Sequence, residues 1–520
     1  MESVPASPPT VENTPDPGYK WRVLASVVVG LFMVILDSTV VNVALKTLQQ
    51  HFSVSTNEAQ WVISLYTLAL GISTPLSGFL GDRFGIKRIY LTGIGMFVVG
   101  SFLCGISPSL LTLIIARGIQ GVGGGIALPL GTALLFRAFP PRERGAAFGI
   151  FGIVLVFAPA IGPLLGGWLV DHDLLSWIFF LNLPIGLIGL TIGTRFLREA
   201  PGSANVHADV PGIILASAGF GSILFAASLA GEQGTGWGDP RVIICLTGGL
   251  LALAVFTIVE LRVREPLLDL RLFGIPSFAL ANLAGTVGTI ALFGAEFLLP
   301  LYLQILRGET AFQAGLLLLP LAAASAVTTV IAGRISDRIG PRLPIVVGFL
   351  LITYNTYQLS QIQLDTSLTF LMFLLVLRGI AVGLIIQNTQ IAALMDVPLP
   401  RLNRATPLIQ ATRQTMQSIG VAILATILTS AVTVSLPATS GSGHAGAPIS
   451  PAARAAIAQL YHQFQSQYIT GLERAYLVTC FIAIVTTILA LFLPGWPGKY
   501  EPASSRSAEP APRPQVSEAV

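Results

Sequence analysis

Asp37, Arg117, Glu296, Arg378 and Arg413 all fall inside apolar runs. A charged side chain in hydrocarbon costs several kcal/mol, so each needs a partner or a water-filled cavity. Asp37 lies about 22 Å into the first apolar run at 1.5 Å per helical residue. Arg117 lies about 10 Å from the opposite end of an antiparallel run, so in a slab of about 30 Å the two heights coincide. Two readings stay open for the pair. It is a static ion pair, or Asp37 binds protons, because burial favours the neutral acid and a nearby cation favours the carboxylate. Glu296 is the second acidic coupling candidate, with Arg378 as its counterpart by analogy, although their heights match less closely.

Uncharged polar groups extend the pattern. Gln410, Arg413, Gln414 and Gln417 recur at i, i+3, i+4 and i+7, one face of a helix. Gln387, Asn388 and Gln390 sit together in a neighbouring run. A lipid-facing polar stripe is expensive, so these groups face the bundle interior. With Asn42, Gln120, Arg378 and Arg413 they are the candidates for a substrate cavity; hydrogen bonding between helices is the other reading.

One short motif occurs twice. Gly78-Phe-Leu-Gly-Asp-Arg-Phe-Gly-Ile-Lys-Arg88 and Gly333-Arg-Ile-Ser-Asp-Arg-Ile-Gly-Pro-Arg342 each join two apolar runs, with Asp82 and Asp337 separated by 255 residues. Each is followed by a buried Arg-Gly pair, Arg117-Gly118 and Arg378-Gly379. Duplicated halves are what an alternating-access transporter needs. Gly78 and Gly85 allow close approach and a tight turn. Asp82, Arg83, Lys87 and Arg88, with Asp337 and Arg338 in the second copy, form charge clusters able to lock one conformation. Asp82 is expected at a neighbouring helix N-terminus or paired with Arg83, Lys87 or Arg88. Gly162, Pro163, Gly166 and Gly167 predict a kinked, closely packed helix.

The elements that position these groups are membrane spans. The chain has 520 residues, 53% hydrophobic and 10% charged, with a mean hydropathy of +0.77. A soluble chain carries about a quarter charged residues. Fourteen helices are expected, near 22–47, 59–79, 87–106, 110–136, 145–170, 175–197, 210–230, 241–262, 277–304, 312–334, 343–361, 367–395, 405–435 and 471–493. Loops on the side of the N-terminus hold 21 of the 29 Lys and Arg residues and the opposite loops hold five. That asymmetry predicts cytoplasmic termini in a multi-pass inner membrane protein. The expected organisation is a disordered tail (1–20), a six-helix bundle (21–200), an inserted two-helix hairpin (201–270), a second six-helix bundle (271–495) and a disordered tail (496–520). The outward loop 436–470 is expected to be a flap, a surface helix or a partner contact.

The net charge of +4 reflects loop topology rather than nucleic-acid binding. Cys104, Cys245 and Cys480 are isolated and apolar in setting, with neither disulfide nor metal spacing. No nucleotide-binding Gly-x-x-x-x-Gly-Lys-Ser/Thr loop occurs. No enzymatic activity, cofactor or metal is expected.

These residues together resemble the major facilitator superfamily, specifically its fourteen-helix drug:proton antiporter branch, over about 22–495. The resemblance rests on the loop 78–88, on Leu36-Asp-Ser-Thr-Val-Val-Asn-Val-Ala-Leu45 and on Arg117-Gly-Ile-Gln-Gly-Val-Gly123. Gly162-Pro-Leu-Leu-Gly-Gly167 resembles the antiporter motif that marks exporters, and Arg413 through Gly420 the helix-thirteen motif. Lys46, Ile86 and Ala158 depart from the usual pattern. The resemblance implies two six-helix bundles rocking about a central site, with Asp37 coupling protons beside Arg117. It implies efflux of lipophilic compounds, cationic ones included. The alternatives are export of one native metabolite or lipid, or a non-transporting sensor. Expected partners are a small-molecule substrate, protons and the lipid bilayer, and a periplasmic adaptor could dock on 436–470.

Overall fold

The computed structural model describes residues 18–199, 202–203, 209–230, 237–263, 265–432 and 451–494. Among them the chain is helical throughout, in fourteen long segments that bear out the all-α membrane fold. Helix one is Tyr19–Phe52, and helix two is Thr56–Ser73 continued by Leu76–Phe84. Helices three to five are Ile86–Gly105, Leu110–Ala138 and Arg144–Asp171; helix six is Trp177–Phe180 continued by Asn182–Phe196. Helices seven and eight are Val210–Ala230 and Pro240–Arg262. Helices nine to fourteen are Pro276–Leu301, Ala311–Ile339, Arg342–Ser360, Leu368–Leu394, Leu402–Ala431 and Pro451–Leu491. Thirteen are long and apolar enough to span a bilayer, counting helix two as one span bent by 51°. Pro75 at that bend removes a backbone donor. Helix thirteen has 30 residues, but its polar stripe keeps it out of that set.

Local chemistry sets the helix ends. Ser55 with Glu58, Ser109 with Thr112 and Thr310 with Gln313 form capping boxes. Asp239 caps helix eight, and hydrogen bonds from Arg241 hold its carboxyl below the usual carboxylate range. In the duplicated motif, Gly85 and Gly340 both break the chain between helices at positive φ, 96° and 86°. That region is open to glycine at no steric cost.

Helix one packs on helices four, five and six, and helix nine on twelve, thirteen and fourteen. The two groups meet along helices five and ten, and again where helix thirteen crosses helices two and four. Helix seven lies against both helix two and helix thirteen. Ser64 and Ser228 share a 2.9 Å hydrogen bond, and Trp237 Nε1 donates to Thr426 Oγ1 at 2.7 Å.

One segment differs from expectation. Residues 451–470, read as part of an outward loop, continue helix fourteen as a 41-residue rod. Pro451 stands at its start, where the missing donor costs nothing. Phe464 and Tyr468 pack into the apolar cluster around Leu298, Tyr302 and Tyr476, which explains why this stretch is helical. Residues 1–17, 231–236, 433–450 and 495–520 lie outside the described residues, and with them the expected C-terminal tail, the rest of the 436–470 loop and the N-terminal tail up to residue 17; Tyr19 and Lys20, read as its end, already belong to helix one.

Candidate functional site

Helix one brings Asp37 to the inner face of its bundle, 1% exposed, beside the equally buried Arg117 of helix four. Arg117 Nη1 donates to Asp37 Oδ2 at 2.5 Å. Gln120 Nε2 and Asn182 Nδ2 both donate to Asp37 Oδ1, at 2.9 and 2.7 Å. Arg117 also donates to Gln120 Oε1 at 2.6 Å and to the Val62 carbonyl at 3.2 Å, and lies over the Tyr66 ring at 4.0 Å. Ser101 accepts from Gln120 and Asn182 and donates to the Phe179 carbonyl. The network thus joins helices one, two, three, four and six. Every contact to Asp37 comes from a donor, and its oxygens do not line the central cavity. The expected pair forms, but it is sealed within the first bundle in this conformation.

In the second half Arg378 and Glu296 feel each other's charge but make no direct contact. Arg378, 1% exposed, donates to the Ala291 carbonyl at 2.9 Å, to the Leu292 carbonyl and to Asn355 Oδ1 at 3.3 Å. No ion pair joins it to Glu296 among the described residues. The backbone carbonyls of helix nine occupy the place that the analogy gave to a carboxylate.

A cavity of about 160 Å³ lies between the two halves, walled by helices four, five, nine, twelve and thirteen. Phe151, Leu155, Leu292 and Phe293 give it an apolar side. Gln387, Gln410, Arg413, Gln414 and Gln417 give it a polar one, as the spacing on helix thirteen requires. Arg413 Nη1 donates to Gln390 Oε1 at 3.1 Å and Nη2 to Thr389 Oγ1 at 3.0 Å. Four candidates fall elsewhere. Gln120 belongs to the Asp37 network, Arg378 to the helix-nine carbonyls, and Asn388 donates to the Leu384 carbonyl at 2.8 Å. Asn42 is exposed and outside the lining. Spacing fixes which face of a helix a residue shares, but not which neighbour that face meets.

The duplicated loops reach across the seam. Asp82 accepts from Asn403 Nδ2 at 2.7 Å and Arg404 Nε at 3.0 Å, in the first turn of helix thirteen. Asp337 accepts from the Gly145 and Ala146 amides at 2.7 and 2.9 Å, the first turn of helix five. At Asp337 the unsatisfied amides and the helix dipole offset part of the cost of burying the carboxyl, whereas Asp82 is answered by side-chain donors. Asp82 thus lies at a neighbouring helix N-terminus, one of the two places read for it, with Asn403 and Arg404 as partners that the sequence had not singled out; Asp337 takes the corresponding place at helix five. Lys87 donates to the Thr194 carbonyl at 3.0 Å, and the Arg88 amide to Glu199 at 3.1 Å. Arg137 adds a bond to the Leu399 carbonyl at 3.2 Å. The bonds of Asp82, Asp337 and Arg137 bring the two halves together on the face of the molecule that carries most of the basic loop residues, whereas those of Lys87 and Arg88 stay within the first bundle.

Helix five runs through Pro159 and Pro163 as one helix. A Cβ at Gly145 or Gly152 would collide with helix ten and one at Gly149 would crowd its backbone, while one at Gly162 or Gly166 would collide with Thr39 or Val40 of helix one; Gly167 meets nothing.

Residues 27–425 match the sequence signature described as Major Facilitator Superfamily. An uncharacterized MFS-type transporter of Bacillus subtilis, YhcA, is 37% identical over 404 residues, covering 78% of this chain and 76% of that one. A multidrug resistance protein B homolog of Mycobacterium tuberculosis is 34% identical over 490 residues, 91% of this chain and 88% of its own. Among solved structures, the human organic anion transporter MFSD10 superposes with a TM-score of 0.61 at 13% identity, covering 91% of this chain and 99% of that one. At that identity the likeness concerns the fold alone.

Proposed function

The chain belongs to the major facilitator superfamily, in the drug-export branch its motifs resemble, and from that premise we propose that it is a proton-coupled exporter of lipophilic compounds. It is a multi-pass membrane transporter of small molecules, not an enzyme. The finer reading places it in the cytoplasmic membrane with its basic face toward the cytoplasm, exchanging entering protons for a departing compound. The multidrug resistance relative supports the choice of export.

The observation that carries the proton coupling is the all-donor shell around Asp37. A neutral acid brings its own O–H into a shell made of N–H groups, so at least one contact has to break. Those donors sit on helices four and six, so a proton on Asp37 loosens the packing of helix one within its bundle. Helix one in turn packs on Gly162 and Gly166 of helix five, which runs along helix ten at the seam. Protonation and the relative position of the two halves are linked through that chain of contacts. With Asp37 paired to Arg117 the basic face is shut; with Asp37 protonated the shut state loses support and the basic face opens to take up substrate.

Reconstitution tests this directly. In proteoliposomes with an imposed pH gradient, the wild type drives flux of a transported aromatic probe and moves protons in the opposite direction. Asp37→Asn is expected to abolish the dependence on the gradient while leaving probe binding. Transport by that variant that stays fully gradient-dependent would remove Asp37 as the proton carrier.

A further inference from the structure

Among the described residues the central cavity has one charged side chain on its wall, and that charge is positive. Arg413 lines it with two of its donors committed to neutral acceptors, Gln390 and Thr389. Its Nε is buried without an acceptor. The Nε2 donors of Gln387 and Gln390, which also line the cavity, are buried without acceptors too. The bond from Arg413 to Gln390 Oε1 fixes the orientation of that amide, so its unanswered group is the N–H side. Among the described residues no Asp or Glu lines the cavity and none pairs with Arg413. Glu296 sits one helical turn beyond Leu292 and Phe293 on the same face of helix nine, outside the lining.

Buried polar groups are normally answered, and a buried guanidinium without a counter-charge is costly. A ligand that brings a compact oxyanion answers the guanidinium and the amide donors at once, through charge-assisted bonds of the kind a carboxylate makes with arginine. A lipophilic cation meets like charge and donors that face no acceptor. The aromatic and aliphatic wall of Phe151, Leu155, Leu292 and Phe293 then takes the apolar body of the compound.

We propose that this cavity selects organic anions, an aromatic body carrying a carboxylate or similar oxyanion, and disfavours lipophilic cations. The cationic compounds included in the sequence-based expectation are set aside on this ground. The proposal rests on the export reading for the identity of the site, but its test needs no proton coupling.

Binding of two probes with the same aromatic body, naphthalene carboxylate and naphthylmethyl-trimethylammonium, is measured on the purified full-length protein in nanodiscs, with empty nanodiscs subtracted. The carboxylate is expected to bind at least about tenfold more tightly, the scale of one charge-assisted contact. Arg413→Lys keeps the preference and Arg413→Gln erases it. Gln410→Glu, which adds an acid one turn from Arg413 on the same face, shifts the preference toward the ammonium probe and covers the case in which Arg413→Gln does not fold. Both probes are compared at equilibrium with no pH gradient, so failure of proton coupling and failure of anion selection are read separately. Equal or tighter binding of the ammonium probe by the wild type overturns the proposal, as does an unchanged preference in a folded Arg413→Gln protein.

Discussion

Asp37 is held by three side chains from two helices, and each accounts for part of what it costs to keep a carboxylate at 1% exposure. Asn182 is the neutral member that has no bond to Arg117; besides Asp37 its amide donates to Ser101. Replacing it by leucine leaves Asp37 Oδ1 with Gln120 alone and Ser101 with one donor fewer. Leaving a buried acceptor short of a partner costs about 1–3 kcal/mol. Asn182→Leu is therefore expected to lower the thermal unfolding midpoint in detergent and to slow gradient-driven flux, with naphthalene carboxylate binding untouched; an unchanged midpoint contradicts the network. The height match of Asp37 and Arg117 was legible in the sequence because helical rise fixes depth. The direction of a side chain about its helix was not, so Gln120 moved from the cavity to the ion pair and Asn42 left the interior. Asn182 carried the same signal as Asp37, a polar group in an apolar run, at a height the run alone did not distinguish from an interfacial one.

At the scale of the element, the two loop motifs act on the two helices that occupy equivalent places in the halves, five and thirteen. Gly78 and Gly333 stand 255 residues apart, like the acids they precede. A Cβ on Gly78 would strike the Asn403 carbonyl, and one on Gly333 the Gly145 carbonyl. These glycines are the contact points of the shut face, and Asp82 and Asp337 are its hydrogen-bonded clasps. Gly78→Val is expected to hold the basic face open, seen as a longer distance between spin labels on cysteines at Arg142 and Leu399, which lie on opposite sides of the seam. Asp82→Asn removes a partly exposed charge pair worth about 1 kcal/mol and shifts the same equilibrium about fivefold. A distance equal to that of the wild type in both variants contradicts the clasp. The repeat made the loops legible, because glycine and aspartate at a fixed offset serve a turn and a helix end. The partners were not, since Asn403 and Arg404 lie more than 300 residues away and nothing in the sequence pairs them with Asp82. The same limit applied to helix fourteen. Its extension over 451–470 is mildly amphipathic in sequence and becomes a helix because the outer cluster around Tyr302 receives it.

Across the whole molecule, helices seven and eight sit beside the seam rather than inside it. Helix seven is joined to helix two by the Ser64–Ser228 bond and by the close approach of Leu224 to Gly71 and of Ile72 to Gly221, whereas Trp237 reaches Thr426 of helix thirteen. The hairpin is then expected to travel with the first half and slide past the second. A disulfide between Ser64→Cys and Ser228→Cys should leave transport running, and arrest of transport on oxidation contradicts this division of the moving parts.

The central claim is that a proton on Asp37 opens the basic face, and the distance across that face tests it most directly. Spin labels on cysteines at Arg142 and Leu399, both exposed and on opposite sides of the seam, report the distance by pulsed electron paramagnetic resonance. Cys245 is replaced by serine in that background, since Cys104 and Cys480 are buried. Acidification is expected to move the wild type from a short to a longer distance, and Asp37→Asn to show the longer distance at every pH. A wild-type distribution that ignores pH, or an Asp37→Asn protein that still follows it, would contradict the account.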